Sequence, residues 1–214
     1  MEAPAVLACW RSLAVEVVDA TVLPDGCRDL ILSCPNGARP AWFVSELPAR
    51  AYTVRSEAGD RFVGFRLRPA ACIAAAPLLA ALQARPERDE AEALALIAEH
   101  VRLDARLDEA LQALAVAGGV LAARRQLGVG ERTLERLLHA ATGRPPRYWQ
   151  GLARARRAAR ALSTGLPLAD LAVQHGYADQ AHLTRELRAW FGLAPGALRR
   201  RADLLALLAE PGYA

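Results

Sequence analysis

The sequence contains no lysine, and all 27 of its basic residues are arginine. It has few cysteines, and the four present, Cys9, Cys27, Cys34 and Cys72, form no C-x2-C pair of the kind that zinc knuckles use. This spacing argues against a metal site, and we expect neither a metal nor another cofactor. In a reducing compartment the thiols are expected to stay free.

Long apolar runs are also missing. The apolar run 70–82 is too short to cross a bilayer, and Pro77 interrupts it. The sequence has no secretory signal pattern either. We therefore expect a cytoplasmic protein without a membrane partner.

Acidic charge is scarce in one part of the chain. Residues 118–201 hold 15 arginines and five acidic residues, a net charge of +10, whereas residues 1–117 hold 12 arginines and 16 acidic residues, a net charge of −4. Genomic composition explains the choice of arginine over lysine but not this segregation of charge. A localised basic region is typical of a surface that neutralises DNA phosphates.

The same basic region contains an internal repeat. Gly128, Leu134 and Arg136 are echoed by Gly176, Leu183 and Arg185, an offset of 48 residues at the glycines and 49 beyond them. Each copy reads as a short helix, a turn at glycine, and a second helix whose leucines recur at spacings of three and four. The pattern predicts two helix-turn-helix units.

A long helix is predicted between the two copies. Its apolar residues recur at spacings of 4, 3, 4 and 3, from Tyr148 to Leu162. In the second copy, Pro167 suits the first turn of a helix and Asp179 is placed to cap the next one.

The repeat also carries a family resemblance. The segments LGVGERTLERLLHAATGRPPRYW, ARRAARAL and LADLAVQHGYADQAHLTRELRAWFGLAPGALRR resemble the DNA-binding domain of AraC-type transcriptional regulators. The resemblance covers residues 105–201, and its second copy is the more specific, with Leu187 standing where phenylalanine is more usual. It implies that the second helix of each unit enters the major groove, the two insertions lying about 34 Å apart on one face of the duplex.

Carried over position by position, the resemblance implies two sets of DNA contacts. The base readers would be Arg132, Thr133, Glu135, Arg136, Gln180, Ala181, His182 and Arg185. Arginine can bond guanine and glutamine can bond adenine in a bidentate fashion, whereas Ala181 could touch only a thymine methyl group. The expected phosphate contacts are Arg144, Arg147, Arg154 and Arg156.

The first part of the chain reads as a small β-rich domain. Alternation of apolar and polar residues indicates strands. The turn signals Pro24-Asp25-Gly26 and Pro35-Asn36-Gly37 lie between predicted strands. The predicted strands are Leu13–Val18, Asp29–Ser33, Ala41–Val44, Tyr52–Arg55 and Arg61–Arg68. Helical patterns follow at 70–84 and 90–115.

The segment LPDGCRDLIL, residues 23–32, resembles the opening of the N-terminal domain in a subgroup of AraC-type regulators. That resemblance implies a sensory or dimerising β-domain. Two interpretations stay open: a ligand role, or a hairpin turn in which aspartate caps its own backbone.

The sequence thus predicts an α+β protein with a β-rich domain at 1–69, a helical connector at 70–104, and an all-α domain at 105–214 in which a long helix joins two helix-turn-helix units. We expect residues 105–214 to fold and bind DNA alone. The predicted function is sequence-specific transcriptional regulation on double-stranded DNA, without catalysis. RNA polymerase, a small-molecule effector of unknown site and a second copy of the chain are candidate partners.

Two alternatives come from other functional classes. Some DNA-repair alkyltransferases carry a similar helical module beside reactive cysteines, which would make the chain a repair protein or a thiol sensor, although no Pro-Cys-His motif is present. An effector-binding protein without DNA affinity would lack a basic DNA face, and the net charge of +10 argues against it.

Overall fold

The computed structural model describes residues 5–86 and 88–214. These residues form the predicted α+β fold, with strands in the first half and helices in the second. The strands are β1 (Val6–Leu13), β2 (Val18–Val22), β3 (Arg28–Cys34), β4 (Ala41–Val44), β5 (Tyr52–Ser56), β6 (Arg61–Leu67), β7 (Ala71–Ile73) and β8 (Val101–Leu103). The helices are α1 (Ala75–Gln83), α2 (Glu90–His100), α3 (Ala105–Val116), α4 (Val120–Leu127), α5 (Glu131–Thr142), α6 (Pro146–Arg160), α7 (Leu168–Gln174), α8 (Gln180–Phe191), α9 (Pro195–Leu198) and α10 (Ala202–Ala209).

The chain divides into two compact units whose boundaries differ from those of the predicted domains. The first unit contains the described residues up to Ala20, then Cys27–Leu47 and Thr53–Asp108. The second contains Thr21–Gly26, Pro48–Tyr52 and Glu109–Ala214. Two short segments of the predicted β-rich domain therefore belong to the mainly helical unit. Of the predicted ranges 1–69 and 70–104, residues 1–4 and 87 lie outside the described residues.

The first unit is built on an antiparallel sheet with the strand order β1-β6-β3-β4. Leu30 and Leu32 of β3 and Phe65 of β6 point to one face of the sheet, where Leu78 of α1 and Ile97 of α2 cover them. Alternation along the strands predicts this face, because every second side chain of a strand points the same way.

The opposite face of this sheet holds part of the LPDGCRDLIL motif. Asp29 accepts a hydrogen bond of 2.8 Å from the indole nitrogen of Trp10. The Nε atom of Arg66 lies 3.5 Å from the other carboxylate oxygen, and the Ser45 hydroxyl accepts a 2.7 Å bond from the Asp29 amide. Asp29 of β3 therefore links its own strand to β1, to β6 and to the end of β4.

Three predicted elements of the first unit differ from the structure. The predicted strand Leu13–Val18 does not form, because the pairing of β1 with β6 ends at Leu13 and Arg61. The helical pattern at 70–84 begins only at Ala75, because Ala71–Ile73 form β7. The helical pattern at 90–115 is interrupted by β8, where Val101 pairs with Ile73 of β7.

The second unit contains the predicted pair of helix-turn-helix elements, α4–α5 and α7–α8, with α6 between them. Three alanines of α6 that are fully buried, Ala155, Ala158 and Ala159, pack with Leu183 and Leu187 of α8. Small side chains on α6 allow this close packing. The periodicity of the sequence predicts these helices and the buried face of each.

Candidate nucleic-acid interface

The first reader helix, α5, separates buried from exposed side chains cleanly. Leu134 and Leu138 are buried, and the base readers predicted on this helix are all exposed. Those readers are Arg132, Thr133, Glu135 and Arg136. Gly128 ends α4 in the left-handed conformation with φ 65°, which turns the chain towards α5. An ion pair of 2.7 Å between Arg124 and Glu131 spans the turn.

An open recess of about 390 Å³ lies on the outer side of α5. It is lined by Arg132, Glu135, Arg136, His139 and Pro145. Two guanidinium groups and a carboxylate therefore face the same space, a mixture that suits polar base edges and phosphate oxygens. The recess includes three of the four readers predicted on this helix.

The second reader helix, α8, begins with a reciprocal cap. The Asp179 carboxylate accepts a 2.6 Å bond from the His182 amide, and His182 Nδ1 accepts a 3.4 Å bond from the Ala178 amide. The imidazole also meets the ring of Tyr177 edge-on at 5.2 Å. His182 is thus half-buried and helps to hold the start of the helix, as in a capping box.

The other readers predicted on α8, Gln180, Ala181 and Arg185, are exposed. Gln180 and Ala181 occupy its first turn, and Arg185 lies one turn later. In helix-turn-helix proteins this end of the second helix contacts the base edges. The three predicted readers are therefore exposed near the N-terminal end of α8.

The four predicted phosphate contacts divide into two groups. Arg147 is exposed, and the half-buried Arg144 lies with its guanidinium 5.1 Å from the ring centre of Tyr148. The prediction for Arg156 is wrong, because this side chain is 1% exposed. Its guanidinium donates to the main-chain oxygens of Pro24 and Glu210, each at 3.3 Å.

Arg154 is also engaged inside the second unit. It forms a 2.9 Å ion pair with Glu186 of α8, and its guanidinium lies 4.7 Å from the ring centre of Tyr177. These contacts join the linker helix α6 to the second helix-turn-helix unit. The sequence analysis assigned no role to Glu186, although this residue directly follows the predicted reader Arg185 and carries the only negative charge of α8.

His175 ends α7, and its ring is half-buried. Burial, together with the positive charge of Arg157, lowers the pKa of His175 below its usual value. Its Nε2 atom has no hydrogen-bond partner within the part of the chain that the structure describes. The folded protein thus favours the neutral imidazole.

This environment predicts a loss of stability in mild acid. His175 binds a proton more readily in the unfolded chain than in the folded protein. Its contribution to the free energy of unfolding is therefore complete above the unfolded pKa of about 6.5, and it declines as the pH falls towards the lower pKa of the folded protein. Urea unfolding at pH 8 and pH 5.5 measures the decline. We expect His175→Gln to make it smaller, and an unchanged pH dependence in this variant would contradict the role of His175.

The comparisons with known proteins identify one domain. Residues 123–201 match the family model described as a helix-turn-helix domain. This segment is a helix-turn-helix domain. It begins in α4 and ends just before α10, so the domain contains both reader helices and the linker helix. No curated protein matches the sequence.

Solved structures similar to the chain include ToxT from Vibrio cholerae. A 1.65 Å structure of ToxT is 10% identical, covers 95% of this chain and 98% of its own, and gives a TM-score of 0.47. ToxT with a bound unsaturated fatty acid is 9% identical, covers 97% of this chain and 94% of its own, and gives a TM-score of 0.43.

No helix in residues 5–86 or 88–214 is long and apolar enough to cross a membrane. No group of three or more histidine, cysteine or acidic side chains in those ranges is placed to hold a metal ion.

Proposed function

We propose that this protein is a sequence-specific transcription regulator of the AraC type, in which α5 and α8 enter successive major-groove segments. The observation that carries the proposal is the repeated helix-turn-helix unit with a polar, exposed face on each second helix. The net charge of +10 over residues 118–201 supports it, because neutralised phosphates release counterions. Such a protein acts on double-stranded DNA in the cytoplasm.

Within this proposal the side chains have different roles. Arg132, Arg136 and Arg185 can each donate two bonds to guanine, and Gln180 can bond adenine. Thr133, Glu135 and Ala181 are secondary contacts, whereas His182 acts partly by holding the start of α8. Arg144 and Arg147 contact phosphate.

The alternative of a cysteine-reactive protein has less support. Burial raises the pKa of Cys72, which disfavours the reactive thiolate. Cys27 is buried. A small-molecule effector, pairing of two copies through the β-rich part, and contact with RNA polymerase stay predictions, as does a sensory role for the LPDGC motif.

DNA binding is expected to weaken steeply with salt. Each phosphate neutralised adds about −0.9 to the slope of log affinity against log salt concentration. Gel shifts with pooled genomic fragments at several salt concentrations measure this slope. Absence of any shift at low salt would overturn the proposed function.

Two substitutions separate base reading from phosphate contact. Gln180→Ala is expected to relax selectivity at one base pair, at a cost of about 1–3 kcal/mol, with the salt slope unchanged. Arg147→Ala is the matched comparison, because it should weaken binding to all sequences alike and reduce the salt slope by about one. Binding of both variants to the selected site, to single-base variants of that site and to random DNA provides the test. Equal weakening of specific and random DNA by Gln180→Ala would remove its role as a reader.

A further inference from the structure

The turn Leu23–Gly26 belongs to the second unit, which we here call the DNA-binding unit, although it lies far in sequence from the helices of that unit. Leu23 is part of the apolar core that contains Ala155, Ala159 and Leu162. Gly26 lies so close to this unit that an added Cβ would stand 2.6 Å from Tyr213 Cβ and 3.1 Å from the ring of Trp149. The backbone of this turn therefore fills a space that admits no side chain.

Polar contacts hold the same turn from two sides. Arg156 of α6 donates to the Pro24 oxygen at 3.3 Å, and the Tyr213 amide donates to the Asp25 oxygen at 2.8 Å. The guanidinium of Arg156 also meets the Leu208 oxygen at 3.5 Å, at the end of α10, where a positive charge is favourable. Arg156 thus joins the turn to the linker helix and to the last helix.

A second N-terminal segment makes similar contacts. The Tyr148 hydroxyl donates to the Pro48 oxygen at 3.0 Å, and the Ala51 amide donates to the Trp190 oxygen at 2.7 Å. Tyr148 and Trp190 pack edge-on with their ring centres 5.3 Å apart. The N-terminal end of α6 and the C-terminal end of α8 are therefore both held by residues 48–51.

The helix held in this way is the one that joins the two readers. At its start, Trp149 Nε1 donates to the Thr142 hydroxyl at the end of α5, at 3.3 Å. Further along, Arg154 pairs with Glu186 of α8. A displacement of α6 would therefore change the position of both reader helices.

We propose that the turn Leu23–Gly26 is a positioning element of the DNA-binding unit, which fixes α6 through Arg156, Trp149 and Tyr213 and thereby sets the spacing of the two readers. This inference rests on the proposed function. When two linked readers are correctly spaced, the second binds as an intramolecular step, which strengthens binding by about 10²–10⁴-fold. If α6 is held less firmly, the protein loses part of this affinity, and it binds sites with other spacings between the two DNA segments less poorly than before.

The full-length chain offers a matched pair of glycines for the test. Gly26 and Gly37 have nearly the same left-handed conformation, with φ 76° and 77°, but an added Cβ at Gly37 meets nothing within 4 Å. Alanine should therefore cost about the same backbone strain at both positions, about 1 kcal/mol. The difference between Gly26→Ala and Gly37→Ala reports the contacts of the turn.

The readout is the spacing preference of DNA binding. A two-segment site is first selected from random DNA with the parent protein, and further probes carry two or five inserted base pairs between the segments, or one segment alone. After correction for the folded fraction, we expect Gly26→Ala to bind the selected site at least ten-fold more weakly, with the one-segment probe unchanged and the penalty for inserted base pairs reduced. Gly37→Ala should behave like the parent.

Arg156→Lys is the milder variant, because it keeps the positive charge but loses the forked donor geometry, and it serves if Gly26→Ala does not fold. Folded variants that keep the spacing preference of the parent would overturn the proposal, as would equal weakening on the one-segment and two-segment probes. A parent protein that selects no DNA would instead overturn the proposed function, so the two failures are distinct.

Discussion

Replacing Trp149 with alanine is expected to lower the free energy of unfolding of the second unit by about 3–5 kcal/mol, the usual cost of removing a large aromatic side chain from a core. Trp149 is fully buried. Its ring packs edge-on against Tyr148 at 5.3 Å and against Tyr213 at 4.9 Å. The substitution also removes the hydrogen bond to the Thr142 hydroxyl and the ring that lies against Gly26.

Urea unfolding followed by far-ultraviolet circular dichroism measures this loss, because the second unit holds most of the helices. Phe43→Ala is the control, since Phe43 is 42% exposed on β4 and its removal leaves no buried cavity. A loss below about 1 kcal/mol in the Trp149 variant would show that the contacts around α6 contribute little to stability.

Residues 105–214 on their own are expected to be less stable than the same residues in the full chain. The fragment lacks the partners of Arg156, Tyr213, Tyr148 and Trp190 in segments 21–26 and 48–52. Four hydrogen bonds at about 0.5–1.5 kcal/mol each give an expected loss of about 2–6 kcal/mol. The fragment thus lacks part of the packing of its unit, and its ability to fold and bind DNA alone stays a prediction.

Hydrogen–deuterium exchange of the α6 amides compares the fragment with the full chain directly. We expect faster exchange along α6 in the fragment and slower exchange again when a synthetic peptide of residues 18–56 is added. A scrambled peptide of the same composition is the control. Equal protection of α6 in the fragment and the full chain would contradict the prediction.

The sequence predicts the reader helices well because their determinants are local. Leucines at spacings of three and four place Leu134 and Leu183 inside, which leaves Arg132 and Gln180 outside, and glycine at each turn marks the change of direction. The repeat adds a second, independent indication of the same fold. These features depend on residues within one or two turns of each other.

The sequence predicts a phosphate contact for Arg156, and this prediction is wrong because the hydrogen-bond partners of Arg156 are far away in the sequence. Helical spacing from Leu152 places it beside the buried stripe of α6, but a positive charge on a DNA-binding domain favours a phosphate contact. The carbonyl oxygens of Pro24, Leu208 and Glu210 accept its hydrogen bonds and accommodate the charge inside. No local pattern in the sequence shows these oxygens next to α6.

The strand β8 was missed for a similar reason. Val101 continues the apolar stripe of α2, so periodicity extends the helix through it. The pairing of Val101 with Ile73 decides its conformation. Asp104 then accepts bonds from the amides of Arg106 and Leu107 and starts α3 anew.

The separation in sequence between the turn and its partners has a consequence for folding. Arg156 and Pro24 are 132 residues apart, and Tyr148 and Pro48 are 100 apart. Contacts of such high order form late and slow the search for the native state. During synthesis the turn leaves the ribosome before α6 and Tyr213, so the second unit completes its packing only after Tyr213 has been made.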